Sequence, residues 1–244
     1  MPTDPYVDSG EFIDVLSQDA WRALRPPIVE ALGQAAPDQG PIVDIGAGTG
    51  LGTLVVAETL PASHILAVEP SPILRAVLLS RLVSDGDLRL RVTVQDADVD
   101  GMRLPQQLSG VLAINMIGHL SPQRRRDLWA DLRPRLAPGA PLIVTLQPPA
   151  EPTHIPESTF TSVRIGDRIY EGSGGAHPTG DDRVTWTMRY RTLDPDGAVH
   201  RELAVAYPWY VISPQDLLDE LTTAGYMASL RPLDIVVATP VTRN

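Results

Sequence analysis

One acidic residue followed by three alternating glycines stands in the first quarter of the chain: Asp44-Ile45-Gly46-Ala47-Gly48-Thr49-Gly50. An apolar run, Ile42, Val43 and Ile45, leads in, and a second apolar stretch begins at Leu51. That pattern predicts a strand, a tight turn and a helix start. Glycines reach positive φ without strain, and they let a ligand press against bare backbone. The helix mouth adds unpaired N–H groups and a partial positive charge, which suits a nucleotide-type ligand. Glu69 lies about twenty residues further on, the spacing at which an acid meets a ribose in adenosine-binding folds. Its carboxylate can accept two hydroxyl hydrogen bonds at once. The plainer alternative for Glu69 is a surface acid near a turn.

Composition removes several chemistries. The 244 residues contain no cysteine, so disulfides, thiolate nucleophiles and cysteine metal sites are excluded. All 20 basic residues are arginine, which excludes a lysine Schiff base and a Walker-type phosphate lysine. Of the five histidines, no two have metal-ligand spacing on one helix face, so no metal is assigned. Formal net charge is −10. The densest basic cluster, Arg124-Arg125-Arg126, sits inside a helical pattern and reads as a solvated helix face. A small-molecule substrate is expected, not nucleic acid. No apolar run approaches bilayer length, and Met1-Pro2-Thr3-Asp4-Pro5 does not resemble a signal peptide, so cytoplasmic residence is the expectation.

The glycine spacing distinguishes two cofactors. A dinucleotide fingerprint needs G-x-G-x-x-G. Counted from Gly46 the third glycine would fall at Leu51, and counted from Gly48 it would fall at Thr53. Neither frame fits, which argues against an NAD-dependent oxidoreductase. Asp44 through Gly50 instead resembles motif I of the class I S-adenosylmethionine (SAM)-dependent methyltransferases. The phrase Leu136-Ala137-Pro138-Gly139 before an apolar strand, and Ala224-Gly225-Tyr226 after a helix, also look like this family. The resemblance is good over 41–146, loose over 213–239, and absent from the segment between.

That resemblance implies SAM as cofactor and S-adenosylhomocysteine as product. The cofactor-binding set it implies is Asp44, Gly46, Ala47, Gly48, Gly50, Glu69, Pro70, Asp96, Ala97 and Asn115. In the family an acid at the position of Asp96 contacts the adenine amino group, and its neighbour's backbone contacts a ring nitrogen. Asp98 is the alternative acid. Ile117-Gly118-His119-Leu120 is similar to a stretch of amino-sugar N-methyltransferases in which the histidine lies beside the acceptor. His119 is therefore the candidate catalytic residue, as base or orienting group; a structural histidine at a helix approach is the competing reading.

The elements that must position these residues follow from periodicity. Residues 8–35 read as helical, broken near Pro26-Pro27, with Tyr6 and Trp21 as aromatics able to cover a site or, for Trp21, to fill the core. Helices are expected over 51–60, 72–83 and 122–136, and strands over 64–68, 88–94, 110–114 and 141–146. The alternation describes a parallel sheet. From Gln147 prolines crowd, and strand-like runs follow at 160–170, 184–193 and 199–207, with a glycine-rich, mobile stretch at 172–182. A last helix after Ser213 and two closing strands complete the chain.

The expectation is therefore one class I methyltransferase domain over 1–244. It has a Rossmann-like seven-stranded, mostly parallel sheet flanked by helices. Residues 1–38 form a helical lid, and a β-rich antiparallel insertion at 150–210 shapes the acceptor pocket. The expected activity is methyl transfer to oxygen or nitrogen of a small molecule, with secondary metabolism as its setting. A SAM-binding regulator or scaffold that transfers nothing would carry the same motif.

Overall fold

The computed structural model describes residues 4–241; Met1, Pro2 and Thr3 of the stretch read for a leader lie outside them. Strands β1 (Ile42–Ile45), β2 (Ile65–Val68), β4 (Gly110–Ala113) and β5 (Leu142–Thr145) are buried at every position. Strands buried at every position need both faces covered, as in a parallel sheet between helices. With β3 (Val92–Gln95), β10 (Tyr226–Arg231) and β11 (Ile235–Pro240) they form one seven-stranded sheet in the order β3-β2-β1-β4-β5-β11-β10. All neighbours are parallel except β11, which runs antiparallel to both β5 and β10. The strand order reverses between β1 and β4. In open α/β sheets the crevice at that reversal, past the carboxyl ends of the strands, is where ligands bind.

Six helices accompany the strands: α1 (Gly10–Leu32), α2 (Leu51–Thr59), α3 (Pro72–Val83), the single turn α4 (Leu88–Arg91), α5 (Pro122–Leu132) and α6 (Pro214–Thr223). Three begin alike: Ser71, Ser121 and Ser213 each accept a backbone N–H with the side chain, and a proline follows at once. Proline is tolerated there because its missing N–H would have no helical partner anyway. No helix among the described residues is long and apolar enough to cross a membrane.

Four expectations are corrected. Helix α1 runs unbroken through Pro26 and Pro27. Proline costs a helix about 3 kcal/mol in its interior, but its φ is already helical, and burial of Ile28, Ala31 and Leu32 beyond the prolines holds the last turns. Leu88–Arg91 is helical, not strand: Asp85 Oδ1 accepts the N–H of Asp87 and of Leu88, and Leu90 is exposed, so the alternation has no core behind it. Helix α5 stops at Leu132: Arg133 still has helical φ and ψ, but Pro134 after it has no N–H with which to continue the ladder. The glycine-rich stretch is a strand.

That strand belongs to a second sheet of four antiparallel strands, β6 (Ile155–Ile165), β7 (Arg168–Gly180), β8 (Arg183–Leu193) and β9 (Val199–Tyr210), in sequential order. Its glycines serve packing. A Cβ on Gly172 would meet the Phe160 ring at 2.4 Å, and one on Gly174 would meet Met188 at 2.8 Å. Tyr190 of β8 stacks on Phe12 of α1, with ring centroids 5.1 Å apart.

Candidate active site

The glycine turn is fastened to β2. Gly46 and Ala47 both donate to the Val68 carbonyl, at 2.9 and 3.0 Å. The next residue, Glu69, is 4% exposed and reaches back: Oε2 accepts the Gly48 N–H at 2.7 Å and Oε1 the Ser71 N–H at 2.8 Å. Burial pushes the Glu69 carboxyl up, while those two N–H bonds and nearby Arg75 act the other way. An ionised carboxylate has about four acceptor sites, so Glu69 keeps capacity for hydroxyl donors.

The three glycines of the turn differ in purpose. A Cβ on Gly46 would meet Met116 at 2.9 Å, and one on Gly50 would meet Leu78 at 2.6 Å. On Gly48, at φ +57°, it would meet nothing nearer than the Gly46 carbonyl at 4.0 Å. Gly48 thus opens onto free space with the Glu69 carboxylate beside it, a cradle that fits the ribose end of an adenosyl cofactor. Asp44 points the other way. It accepts from Thr53 Oγ1 at 2.7 Å, and burial pushes its carboxyl up to about 6. Trp21 packs into the same core, where a Cβ on Gly52 would meet both its ring and Asp44.

Pro70 follows Glu69, and Asp96 lies across from it on the loop after β3, its largely exposed carboxylate 2.7 Å from Arg75 Nη1. Ala97 packs on the core, and Asp98 turns away to accept the N–H groups of Asp100 and Gly101. Asn115, after β4, sits at φ +56°, its N–H on Thr145 Oγ1 at 2.7 Å and its Oδ1 accepting from that hydroxyl at 3.0 Å. The predicted set therefore gathers at the carboxyl ends of β1, β2, β3 and β4, with Asp44 one layer beneath.

His119 closes a short 3₁₀ turn, Ile117–His119. Its Nε2 lies 2.9 Å from the Tyr6 hydroxyl, and its ring stands edge-on to Trp209 of β9 at 4.8 Å. Trp209 covers the preceding residue so closely that a Cβ on Gly118 would fall 1.8 Å from it. Burial draws the imidazole down to about 4, and burial likewise keeps the Tyr6 phenol protonated. A neutral phenol and a neutral imidazole thus share this hydrogen bond, and the imidazole tautomer sets which of them donates. Beside them a cleft of about 550 Å³ runs between residues 4–8 and β9, with Asp4, Asp8, His119 and Tyr207 in its wall. Among the described residues no arginine lines it. Ser9 Oγ holds Tyr207 at 2.5 Å.

Residues 42–139 match the family described as a methyltransferase domain. Most of the chain superposes on solved methyltransferases. The chain has the class I methyltransferase fold. An amino pentose methyltransferase from Micromonospora echinaspora, solved with SAM, is 20% identical, with 91% of this chain and 92% of that one covered at a TM-score of 0.72. DesVI of Streptomyces venezuelae is 18% identical over 96% of this chain and 99% of its own, at 0.77. A sugar N-methyltransferase from a Streptoalloteichus species is 19% identical over 90% and 86%, at 0.64. No curated protein matches the sequence. Shares of 90% and more of this methyltransferase fold reach beyond the seven-stranded sheet into β6–β9.

Several site residues of this methyltransferase fold carry little signal in sequence. Tyr207 and Trp209 lie two apart on β9, which puts both on one face; the aromatic run 207–210 is the trace they leave. Asp4 and Asp8 lie in a stretch without periodicity. Among the described residues no group of three or more His, Cys, Asp or Glu side chains is placed to hold a metal ion.

Proposed function

We propose that this chain transfers the methyl group of SAM to a nitrogen of a small-molecule amine, releasing S-adenosylhomocysteine. The observation that carries the reading is the junction made by residues 4–6. Asp4 accepts from Ser71 Oγ, next to Glu69, at 2.8 Å, and two residues later Tyr6 reaches His119. One short segment thus spans from the cofactor cradle to the acceptor cleft, which is the adjacency a methyl transfer requires.

Glu69 would hold the ribose hydroxyls, Asp96 and the Ala97 backbone the adenine edge, and Gly48 and Asn115 the remainder. When bound, SAM supplies an electrophilic methyl on a sulfonium. This chain's residues align the acceptor and exclude water. Asp4 and Asp8 give the cleft a negative wall suited to a molecule carrying an amino group. His119 near 4 is poorly matched to pull a proton from an alcohol at neutral pH. A neutral amine needs no such base before transfer. It needs an acceptor for the proton its nitrogen sheds after transfer, and the Asp4 and Asp8 carboxylates in the cleft wall provide one.

The supporting comparisons act on amino sugars or sugars by their own descriptions, and a cytoplasmic role on a small molecule is the setting inferred here. The test is incubation with SAM and a panel of small amines and alcohols, following S-adenosylhomocysteine and methylated product by mass spectrometry. Methylated amines support the reading. Methylated alcohols alone would transfer it to oxygen. Tight SAM binding without turnover on any acceptor would make the chain a SAM-binding regulator or scaffold.

A further inference from the structure

Arg75 stands on α3 with its side chain only 14% exposed. Its Nη1 donates to the carbonyls of Glu69 and Pro70, both at 2.8 Å, and lies 2.7 Å from Asp96 Oδ1. One nitrogen therefore touches both loops that the cofactor reading places around adenosine. We propose that Arg75 is a positioning residue for adenosine recognition, locking the loop after β2 to the loop after β3 and aiming Asp96 at the adenine amino group. The proposal rests on the cofactor reading given above.

The two loops differ in how they are held without it. Glu69 is fixed through its carboxylate by Gly48 and Ser71 and through its N–H by the Gln95 carbonyl. Asp96 has a side chain 73% exposed, and its polar contact is Arg75. An exposed ion pair contributes little to stability. What this pair supplies is direction: a carboxylate on a mobile chain is held over one spot by a cation whose own carbon stem is packed. A carboxylate so placed accepts from an amino group and repels a carbonyl oxygen, so the pair makes the site selective for adenine over a base with oxygen at that position.

Calorimetric titration of the full chain with S-adenosylhomocysteine and with its inosine counterpart, whose exocyclic amino group is a carbonyl, tests this. The wild type is expected to favour the adenosyl compound by about tenfold or more, the factor that one hydrogen bond to a charged group is worth. Arg75→Met should weaken the adenosyl compound by about tenfold and bring the two ligands within about threefold of each other. A folded Arg75→Met that weakens both ligands equally has lost only scaffolding, and that overturns the proposal; so does unchanged discrimination. If Arg75→Met does not fold, Arg75→Gln decides, because it keeps a polar side chain at a partly buried position and drops the charge. Lost discrimination supports the proposal and retained discrimination overturns it. Wild-type chain that binds neither compound removes the cofactor reading itself, an outcome distinct from a wild type that binds both alike, which overturns the adenine selectivity alone.

Discussion

The Tyr6 hydroxyl and His119 Nε2 are 2.9 Å apart although 113 residues separate them in sequence. The contact joins the segment ahead of α1 to the turn after β4. It lies at the reversal of strand order, with Tyr207 5.5 Å from the Tyr6 ring and Trp209 against the imidazole. Three parts of the chain that are remote in sequence thus meet around one hydrogen bond. That bond fixes the imidazole ring against the N-terminal segment, with His119 itself in the cleft wall.

His119→Ala should lower kcat by about tenfold, the worth of one orienting hydrogen bond. A general base would show a loss of roughly 10²–10⁴, and burial of His119 argues against that role. SAM affinity should be unchanged, since the cradle lies on other loops. Single-turnover kinetics and calorimetry on the same preparation separate the two quantities. A loss of a thousandfold would restore His119 as a base.

Glu69→Ala should weaken SAM binding by about 1.5–3 kcal/mol, the range for hydrogen bonds to a charged group. Because Glu69 also holds the N–H groups of Gly48 and Ser71, the unliganded protein should lose stability as well. Glu69→Gln keeps one acceptor and should be milder on both counts. Unchanged affinity in either variant would remove Glu69 from the site.

Substitutions in the glycine turn should separate by mechanism. Gly48→Val leaves the packing intact, carries the strain of a branched residue at positive φ, and fills the cradle. It should fold and show no measurable SAM binding. Gly50→Ala strikes Leu78 and Gly46→Ala strikes Met116, so both should lower the unfolding temperature first. Normal SAM binding by Gly48→Val would place the cofactor elsewhere.

Much of this was legible in the chain itself. The strand, glycine turn and helix of 42–59, the acid after β2 and the serine-proline helix starts are local, and each is decided by neighbours in sequence. Two of the misread parts were decided by distant contacts. Pro26 and Pro27 stay helical because Ile28 and Leu32 reach the core. Gly172 and Gly174 stay in a strand because Phe160 and Met188 lie across them. The cleft beside His119 is the extreme case: its wall combines residues 4–8 with β9, and no local pattern joins them. Asp44, the acid of the motif, accepts from Thr53, a contact that no periodicity announces.

The buried pair Asp44 and His119 should give opposite pH dependences of stability. His119 falls from 6.5 to about 4 on folding. Between those values the unfolded chain binds the extra proton, so stability from this group is complete above pH 6.5 and is lost as pH falls through 4. Asp44 rises from 3.8 to about 6. Here the folded chain binds the extra proton, so its contribution is complete below pH 3.8 and is lost as pH rises through 6. At 1.36 kcal/mol per pH unit each swing is on the order of 3 kcal/mol, and the two largely cancel in the wild type. Single variants expose them. Measured against wild type by urea unfolding, His119→Ala should gain relative stability as pH falls from 6.5 to 4. Asp44→Asn, which can still accept from Thr53, should lose relative stability over nearly the same window. Differences from wild type remove the exposed carboxylates, which titrate alike in all three proteins. Parallel stability curves for wild type and His119→Ala would mean that the imidazole is solvated, and with it would go the case against a catalytic base.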